Sequence, residues 1–489
     1  MLKNNNLILT TILVIFLTEI LSYLGWRSPL LGSIAAILLT IVWLIIAARN
    51  LSMAMVWLTL ELILGGFGYW LSFEVGNLVL SMRMLLFGAG VSLLIYKLVV
   101  NKQLEFFKYK IKWWYGACGL VFILSVVVGS FNGNESANII LDGQRYLYWL
   151  LLPLWFEINL SDFKKYATVI FPVGLIWLFL KTSAGLYIFG HFNFEQVKWF
   201  YTFWRDIRFA EITHISDGMF RIFSQSHIYA GIFGLGLWVY NLFSASALNW
   251  RAQFSWYLIS ALGIFTAVMS FSRSFWLAIA VSLLLINIVL LFKKYLSFNI
   301  VIKQCGIMLL IVLAGFGYML TTTRLNWPIE SLSSTETSSL SSRLTSGDAA
   351  TNSRMQLWGP LTKAISGNIL IGQGFGATVT YFTSDPRRVA QTAGGSGEYT
   401  TYAFEWGYLE LWLKFGLVGL VVYLGFIIRS LLPIWHEAKK GRAVLIGLSA
   451  GILVLLITNI TTPYLNHALG IGALMLVITL VNKENYATN

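Results

Sequence analysis

Apolar segments of about 20 residues follow one another along nearly the whole chain, and this recurrence leaves few architectures open. Segments near the length needed to cross a bilayer as a helix run approximately 7–24, 29–47, 52–72, 77–99, 114–130, 138–157, 166–188, 227–244, 254–271, 275–292, 302–320, 405–429, 443–462 and 466–482. Several are interrupted by glycine, so the expected fold class is an all-α, polytopic transmembrane bundle of about 12–14 helices with one large extracytoplasmic loop. With 57% of 489 residues hydrophobic and 11% charged, and a mean hydropathy of +0.73, a soluble core could not enclose so much apolar surface. The first segment has no small-residue cleavage site behind it and reads as a retained helix, not a signal peptide.

Lysine positions orient the bundle, because cytoplasmic loops retain positive charge. Lys97, Lys102, Lys108, Lys110 and Lys112 fall in one loop, Lys164 and Lys165 in a second, Lys293, Lys294 and Lys303 in a third, and Lys439, Lys440 and Arg442 in a fourth. Alternating helices put all four on one side, which is then the cytoplasm, and an even helix count puts both termini there. Residues 131–137, 189–226, 272–274, 321–404 and 463–465 then face outward. The expected organisation is transmembrane helices 1–11 over 1–320, a large periplasmic or extracellular loop over 321–404, and C-terminal transmembrane helices over 405–489.

The outward side is rich in arginine: Arg205, Arg208, Arg221, Arg273, Arg324, Arg343, Arg354, Arg387 and Arg388 lie in or beside these loops, and Arg145 near the outer end of its helix. Guanidinium groups bind phosphate oxygens in pairs, so phosphate or pyrophosphate on a lipid carrier is the expected partner. Any one of these arginines, taken alone, also fits a side chain reaching for lipid headgroups. The net charge of +13 is divided between membrane faces with no soluble basic domain, which argues against nucleic acid as a partner.

Other chemistries find little support. Cys118 and Cys305 fall inside apolar segments and suggest neither a disulfide framework nor a metal cluster. The histidines (His191, His214, His227, His436 and His467) show no zinc-like spacing, and there is no GxxxxGK[ST] phosphate loop, so neither a metal nor a nucleotide cofactor is expected. Energy for a reaction must arrive with the substrate or through a gradient.

Within the large loop, 331–343 is rich in Ser and Thr and reads as a lid or tether. Met355, Trp358, Leu361 and Ile365 then recur at helical spacing, as expected of an amphipathic helix at the membrane interface. In Ile371-Gly372-Gln373-Gly374-Phe375-Gly376 the glycines either let backbone N–H groups approach a ligand or mark an ordinary turn.

Arg354, Trp358, the Gly372, Gly374 and Gly376 turn, and a re-entering segment ending in Gly416-Leu417-Val418-Gly419-Leu420 occur in an order that resembles the O-antigen ligase and Wzy-type O-antigen polymerase superfamily. Phe271-Ser272-Arg273-Ser274-Phe275-Trp276 resembles that family's Ser-Arg motif at the outer end of a helix. The similarity covers about 160 residues, from the helix near 254 to about 425, a span longer than any single motif. It implies a GT-C-like membrane glycosyltransferase of the cell envelope, resident in the bacterial inner (plasma) membrane. Its donor is a glycan on undecaprenyl pyrophosphate, transferred without a metal and with inversion to an acceptor hydroxyl. The implied partners are that lipid-linked donor, an acceptor glycan, membrane lipids, and as candidates a chain-length regulator and a flippase.

Such chemistry needs positive charge at the leaving pyrophosphate and a proton acceptor beside the incoming hydroxyl. Arg273 and Arg354 match family arginines, and topology adds Arg221, Arg145 and Arg324 as pyrophosphate-binding candidates. Where the ligases carry a histidine at the start of the re-entering helix, this chain has Glu405, the candidate catalytic base. That departure favours a polymerase of repeat units over a ligase that transfers glycan to lipid A-core or another acceptor. A carboxylate at a helix N-terminus is also stabilised by the helix dipole alone.

Remaining intramembrane charges read as structural. Glu410 and Lys414, at i and i+4, and Asp142 and Arg145, at i and i+3, are expected to pair locally, and Glu19, Glu61 and Arg83 to pair across the bundle. Asn459 and His467 could line an acceptor path or be satisfied within the core. A polysaccharide-lipid or solute transporter is the rival class, but the halves show no convincing repeat of the kind such carriers often have.

Overall fold

The chain is described by a computed structural model over residues 5–76, 78–101, 103–216, 219–244, 249–292, 297–322, 349–432 and 443–486. Its helices are α1 (Asn5–Arg27), α2 (Pro29–Arg49), α3 (Leu51–Leu64), α4 (Met82–Asn101), α5 (Ile111–Phe131), α6 (Ser136–Tyr146), α7 (Leu152–Trp155), α8 (Leu160–His191), α9 (Phe194–Asp206), α10 (His227–Ser244), α11 (Trp250–Met269), α12 (Arg273–Phe292), α13 (Phe298–Thr322), α14 (Ala349–Ser366), α15 (Pro386–Val389), α16 (Gly407–Leu431), α17 (Ala443–Thr458) and α18 (Ala468–Tyr486). Three antiparallel hairpins complete it: β1 (Ser72–Val75) with β2 (Leu78–Ser81), β3 (Glu211–Ser216) with β4 (Met219–Phe223), and β5 (Val379–Phe382) with β6 (Glu398–Thr401). Among the described residues, nine helices (α1, α2, α4, α5, α8, α11, α12, α13 and α16) are long and apolar enough to cross a membrane. The fold is a polytopic all-α membrane bundle.

Two apolar segments differ from expectation. The segment 52–72 is helical only to Leu64, because Gly66 and Gly68 adopt φ of 57° and 94° and turn the chain into the β1–β2 hairpin. The segment 138–157 breaks after Tyr146 into a 3-10 turn, Leu147–Leu151, and the single turn of α7. Pro153 lies in the first turn of α7, where its missing N–H costs least.

Small residues let the central helices approach closely. A Cβ on Gly263 of α11 would lie 2.9 Å from the Ala230 carbonyl of α10, and one on Gly447 of α17 would lie 2.5 Å from that of Gly236. Buried charges are paired, as an apolar interior requires. Arg83 clasps Glu61 with two bonds, Nε to Oε2 at 3.1 Å and Nη2 to Oε1 at 3.0 Å, and Lys181 Nζ meets Glu19 Oε1 at 2.7 Å. The two local pairs merge into one network: Lys414 Nζ lies 2.5 Å from Glu410 Oε1 and 2.7 Å from Asp142 Oδ1, with Arg145 at 3.7 Å from Asp142 and 3.5 Å from Glu410.

The glycine run joins the loop to the bundle at a break in α16. Gly416 has φ 67° and ψ 178°, a conformation open essentially to glycine alone, and it interrupts the helical ladder. Apolar surroundings require every freed backbone group to find a partner. Leu417 N–H donates to the Ile369 carbonyl at 2.8 Å, Val418 N–H to that of Leu370 at 3.2 Å, and Leu413 O accepts from Gln373 N–H at 2.7 Å. Gly374 packs against the backbone of Gly129 in α5, Phe375 N–H donates to Ser125 O at 2.8 Å, and Gly376 N–H donates to Asp142 Oδ2 at 2.8 Å. These donors serve the protein itself, so the run is a packing splice. Gly416→Ala is expected to cost at least about 1–3 kcal/mol, read as a fall in the unfolding temperature of the detergent-solubilised chain. Unchanged stability would mean that the break relaxes.

The amphipathic helix is α14, and its buried stripe keeps Leu361 and Ile365 of the four expected residues but runs through Leu357 instead of Met355 and Trp358. Leu357, Leu361 and Ile365 are buried against Ala377, Val379, Tyr381, Phe404 and Leu413. Met355 is 61% and Trp358 44% exposed, and Trp358 meets Trp406 edge-to-face at 4.8 Å. The β5–β6 hairpin and the chain entering α16 claim the Leu357 side of the helix.

Candidate active site

A cavity of about 590 Å³ opens where the β3–β4 hairpin, the α11–α12 turn, α14, α15, β6, the approach to α16 and the 461–463 segment meet. Arg221, Arg273, Arg354 and Arg388 all line it, together with Glu211, Asp385 and Glu405.

Each guanidinium arrives by a different local device. Arg221 stands opposite Thr213 in the β3–β4 register, its Nε donates to the Ser270 carbonyl at 3.2 Å, and its guanidinium lies 4.7 Å from the Phe223 ring centre. Arg273 opens α12 after a three-residue turn from α11. Within that turn Phe271 has φ 51°, Ser270 Oγ donates to Ala267 O at 2.6 Å, Ser272 N–H donates back to Ser270 Oγ at 3.3 Å, and Trp276 Nε1–H reaches Val268 O at 3.0 Å. The Ser-Arg motif is thus a stapled helical hairpin that delivers its arginine to the cavity. Ser274 Oγ lies 2.8 Å from Thr461 Oγ1 and accepts from Thr462 at 3.1 Å, tying the rim to the segment after α17.

Arg354 and Arg388 share one carboxylate. Arg354 Nε donates to Glu405 Oε2, and Arg388 Nη2 to Glu405 Oε1 at 2.5 Å. Arg354 is further fixed where Trp406 Nε1–H donates to its carbonyl at 3.0 Å. Arg388 also bonds the Tyr381 hydroxyl and stands 5.3 Å from the Tyr399 ring, and Tyr381 is held by Ser353 Oγ at 3.1 Å. Glu405 keeps 30% of its side chain exposed, so it is within reach of a molecule in the cavity.

The structure therefore brings Glu405, Arg221, Arg273 and Arg354 together. It places Arg145 elsewhere, in the Asp142–Glu410–Lys414 network with its guanidinium 5.6 Å from the Tyr402 ring, and Arg145 does not line the cavity. Arg324 lies outside the described residues. Asn459 and His467 serve the backbone: Asn459 Oδ1 accepts from Tyr464 and Leu465 N–H at 2.8 and 2.9 Å, and His467 Nδ1 from Leu469 N–H at 3.3 Å. Arg388 is the residue that sequence reasoning did not single out. Asp385-Pro386-Arg387-Arg388 marks a helix start, since Asp385 O accepts from Arg388 N–H at 2.9 Å, but nothing in the pattern separates one arginine from its neighbour.

Chemically, the cavity offers four permanently charged groups that can bind phosphate oxygens in pairs, and a carboxylate that can accept a proton. Glu211, Asp385 and Glu405 offset most of that charge within the cavity. An entering diphosphate would compete with Glu405 for Arg354 and Arg388.

Residues 258–424 match the family described as O-antigen ligase. This segment carries the α11–α12 turn, Arg354, Arg388, Glu405 and the glycine splice, and it relates the chain to membrane enzymes of O-antigen and polysaccharide assembly. A comparison with curated proteins finds no match.

Proposed function

We propose, from the O-antigen ligase match and the geometry of the arginine cavity, that this chain is an inverting, metal-independent membrane glycosyltransferase that polymerises undecaprenyl-pyrophosphate-linked repeat units into O-antigen or exopolysaccharide. The observation that carries the reading is the convergence of four arginines, from separate chain segments, around Glu405 in one cavity. In this reading the protein resides in the bacterial inner membrane with both termini cytoplasmic and the arginine cavity facing outward, as the lysine distribution supports.

The donor diphosphate lies among Arg221, Arg273, Arg354 and Arg388. The acceptor hydroxyl oxygen attacks the anomeric carbon from the opposite side, and the bond from that carbon to the pyrophosphate oxygen breaks with its electron pair leaving on the lipid pyrophosphate. Glu405 takes the hydroxyl proton and later releases it to solvent. Arginines placed where negative charge grows in the transition state supply the main rate enhancement. Glu405 couples the two halves of the reaction, because diphosphate that draws Arg354 and Arg388 away leaves its oxygens free to accept the proton.

The matching family's description favours a second reading, a ligase that moves the glycan to lipid A-core or another acceptor. Purified protein incubated with a lipid-pyrophosphate-linked repeat unit distinguishes the two. A ladder of lengthening lipid-linked glycans is expected, slowed about 10²–10³-fold in Arg354→Ala, the loss typical of one removed charge-stabilising donor. No ladder without lipid A-core, and single-step transfer when it is added, would replace polymerase with ligase. No transfer in either case would sink the glycosyltransferase reading.

A further inference from the structure

A second pocket, of about 240 Å³, lies where α1 and α2 meet the β1–β2 hairpin and the end of α9. Its chemistry differs from that of the arginine cavity: Trp26, Tyr69 and the buried Trp70 contribute aromatic rings to its lining, and Glu74, Asp206 and Arg208 supply acceptors and a donor. We infer that this pocket holds sugar residues of the glycan, at a site separate from the diphosphate cavity. The inference rests on the proposed reading that the chain handles a glycan.

The pocket is held in shape before any ligand arrives. Trp26 Nε1–H donates to Asp206 Oδ2 at 3.0 Å, which sets the indole, and Arg205 holds the other Asp206 oxygen at 3.1 Å. The Arg208 guanidinium sits 4.5 Å from the Tyr69 ring centre. Trp70 is buried, and its indole N–H makes no hydrogen bond among the described residues. Arg208 has φ 48°, and among the described residues the only other non-glycine residue with positive φ is Phe271, which lines the arginine cavity. Backbone held in that region is strained and persists where the surroundings over-determine it. Here they do: Phe67 N–H donates to Arg208 O at 3.2 Å, Gly66 packs on the Arg208 and Phe209 carbonyls, and Gly66 O is held at 3.0 Å by Arg83 of the buried Glu61–Arg83 pair.

Pyranose rings present apolar faces that stack on indole and phenol rings, and hydroxyls that need both donors and acceptors. This pocket supplies both. Its lining carries two carboxylates, Glu74 and Asp206, and one guanidinium, Arg208, so it does not favour an anion. The two pockets are also joined through the chain. Arg208 lines one and Glu211 the other, so their Cα atoms lie within about 11 Å, three fully extended residues.

The test uses the full detergent-solubilised chain and unlipidated oligosaccharide repeat units of bacterial O-antigens and exopolysaccharides, first on an array and then by titration of the best binder. These sugars carry no pyrophosphate, so retention does not depend on turnover. Asp206→Asn and Trp26→Ala are expected to weaken retention about tenfold or more, the effect of losing a hydrogen bond to a charged acceptor, while Lys363→Gln, at a residue that lines neither cavity, leaves it unchanged. Asp206 lies at the surface with 39% of its side chain exposed, so Asp206→Asn stands even if Trp26→Ala fails to fold. Retention unaltered by Asp206→Asn, or no retained oligosaccharide, overturns the inference even where transfer proceeds. Retention that depends on Asp206 in a chain showing no transfer would keep the site and discard the activity.

Discussion

Glu405→Gln is expected to lower the rate of glycan transfer by about 10²–10⁴-fold, the range over which a positioned general base contributes. Gln is nearly isosteric but cannot take the hydroxyl proton. It also removes the charge that Arg354 and Arg388 share. Donor binding should therefore hold or strengthen while kcat collapses, a pattern that separates a base from a residue that only binds substrate. The check is the initial rate of ladder formation over a range of donor concentrations. A variant with near-native kcat would leave Glu405 as an anchor for two arginines and require the acceptor proton to go elsewhere.

Lys414→Met is expected to be the most destabilising single change, at about 3–5 kcal/mol, because breaking a buried ion pair leaves its partners charged and unsatisfied. Lys414 is 1% exposed, and Asp142 and Glu410 both bond its ammonium. Among the described residues, Arg145 would be the one cation left paired with the two carboxylates, at 3.5 Å or more. Asp142 also receives Gly376 N–H, so the loss should reach the splice that seats the loop on α16. The measurement is thermal unfolding in detergent of Lys414→Met beside Lys414→Met/Glu410→Met. Replacing both members of the pair should recover a large part of the loss, since coupled sites are non-additive. A single variant no less stable than the double would show that the network is not held by charge pairing.

Much of the bundle was legible because spanning a bilayer imposes a length and an apolar content that single residues cannot disguise. The segment 227–244 is helical over His227–Ser244, residue for residue. Pairing of intramembrane charge was legible for the same reason, since apolar surroundings leave few alternatives. Breaks within apolar segments were harder to read. Nothing in the composition of 138–157 announces the 3-10 turn at Leu147–Leu151, which follows the short helix whose Asp142 and Arg145 join a network with α16. On α14, periodicity selected Met355, Trp358, Leu361 and Ile365, whereas the buried stripe keeps the last two and runs through Leu357. A helix with apolar residues on several faces buries the one its neighbours cover, and those neighbours are β5, β6 and the chain entering α16.

Sequence alone set the class of molecule, a multi-helix membrane protein, nominated Arg221, Arg145 and Arg324 from residue type and loop position, and nominated Glu405, Arg273 and Arg354 through the family resemblance. Hydrophobicity and charge are local properties, and the bilayer reads them locally. Tertiary structure alone decided which of these charges share a cavity. It drew Arg145 into the Lys414 network, brought Arg388 from a second arm of the loop onto Glu405, and turned the glycine run inward to satisfy the broken backbone of α16. The physical reason is that a guanidinium's partner is set by distances between elements far apart in sequence, Arg354 to Glu405 across 51 residues and Lys414 to Asp142 across 272. Neither composition nor periodicity carries such separations.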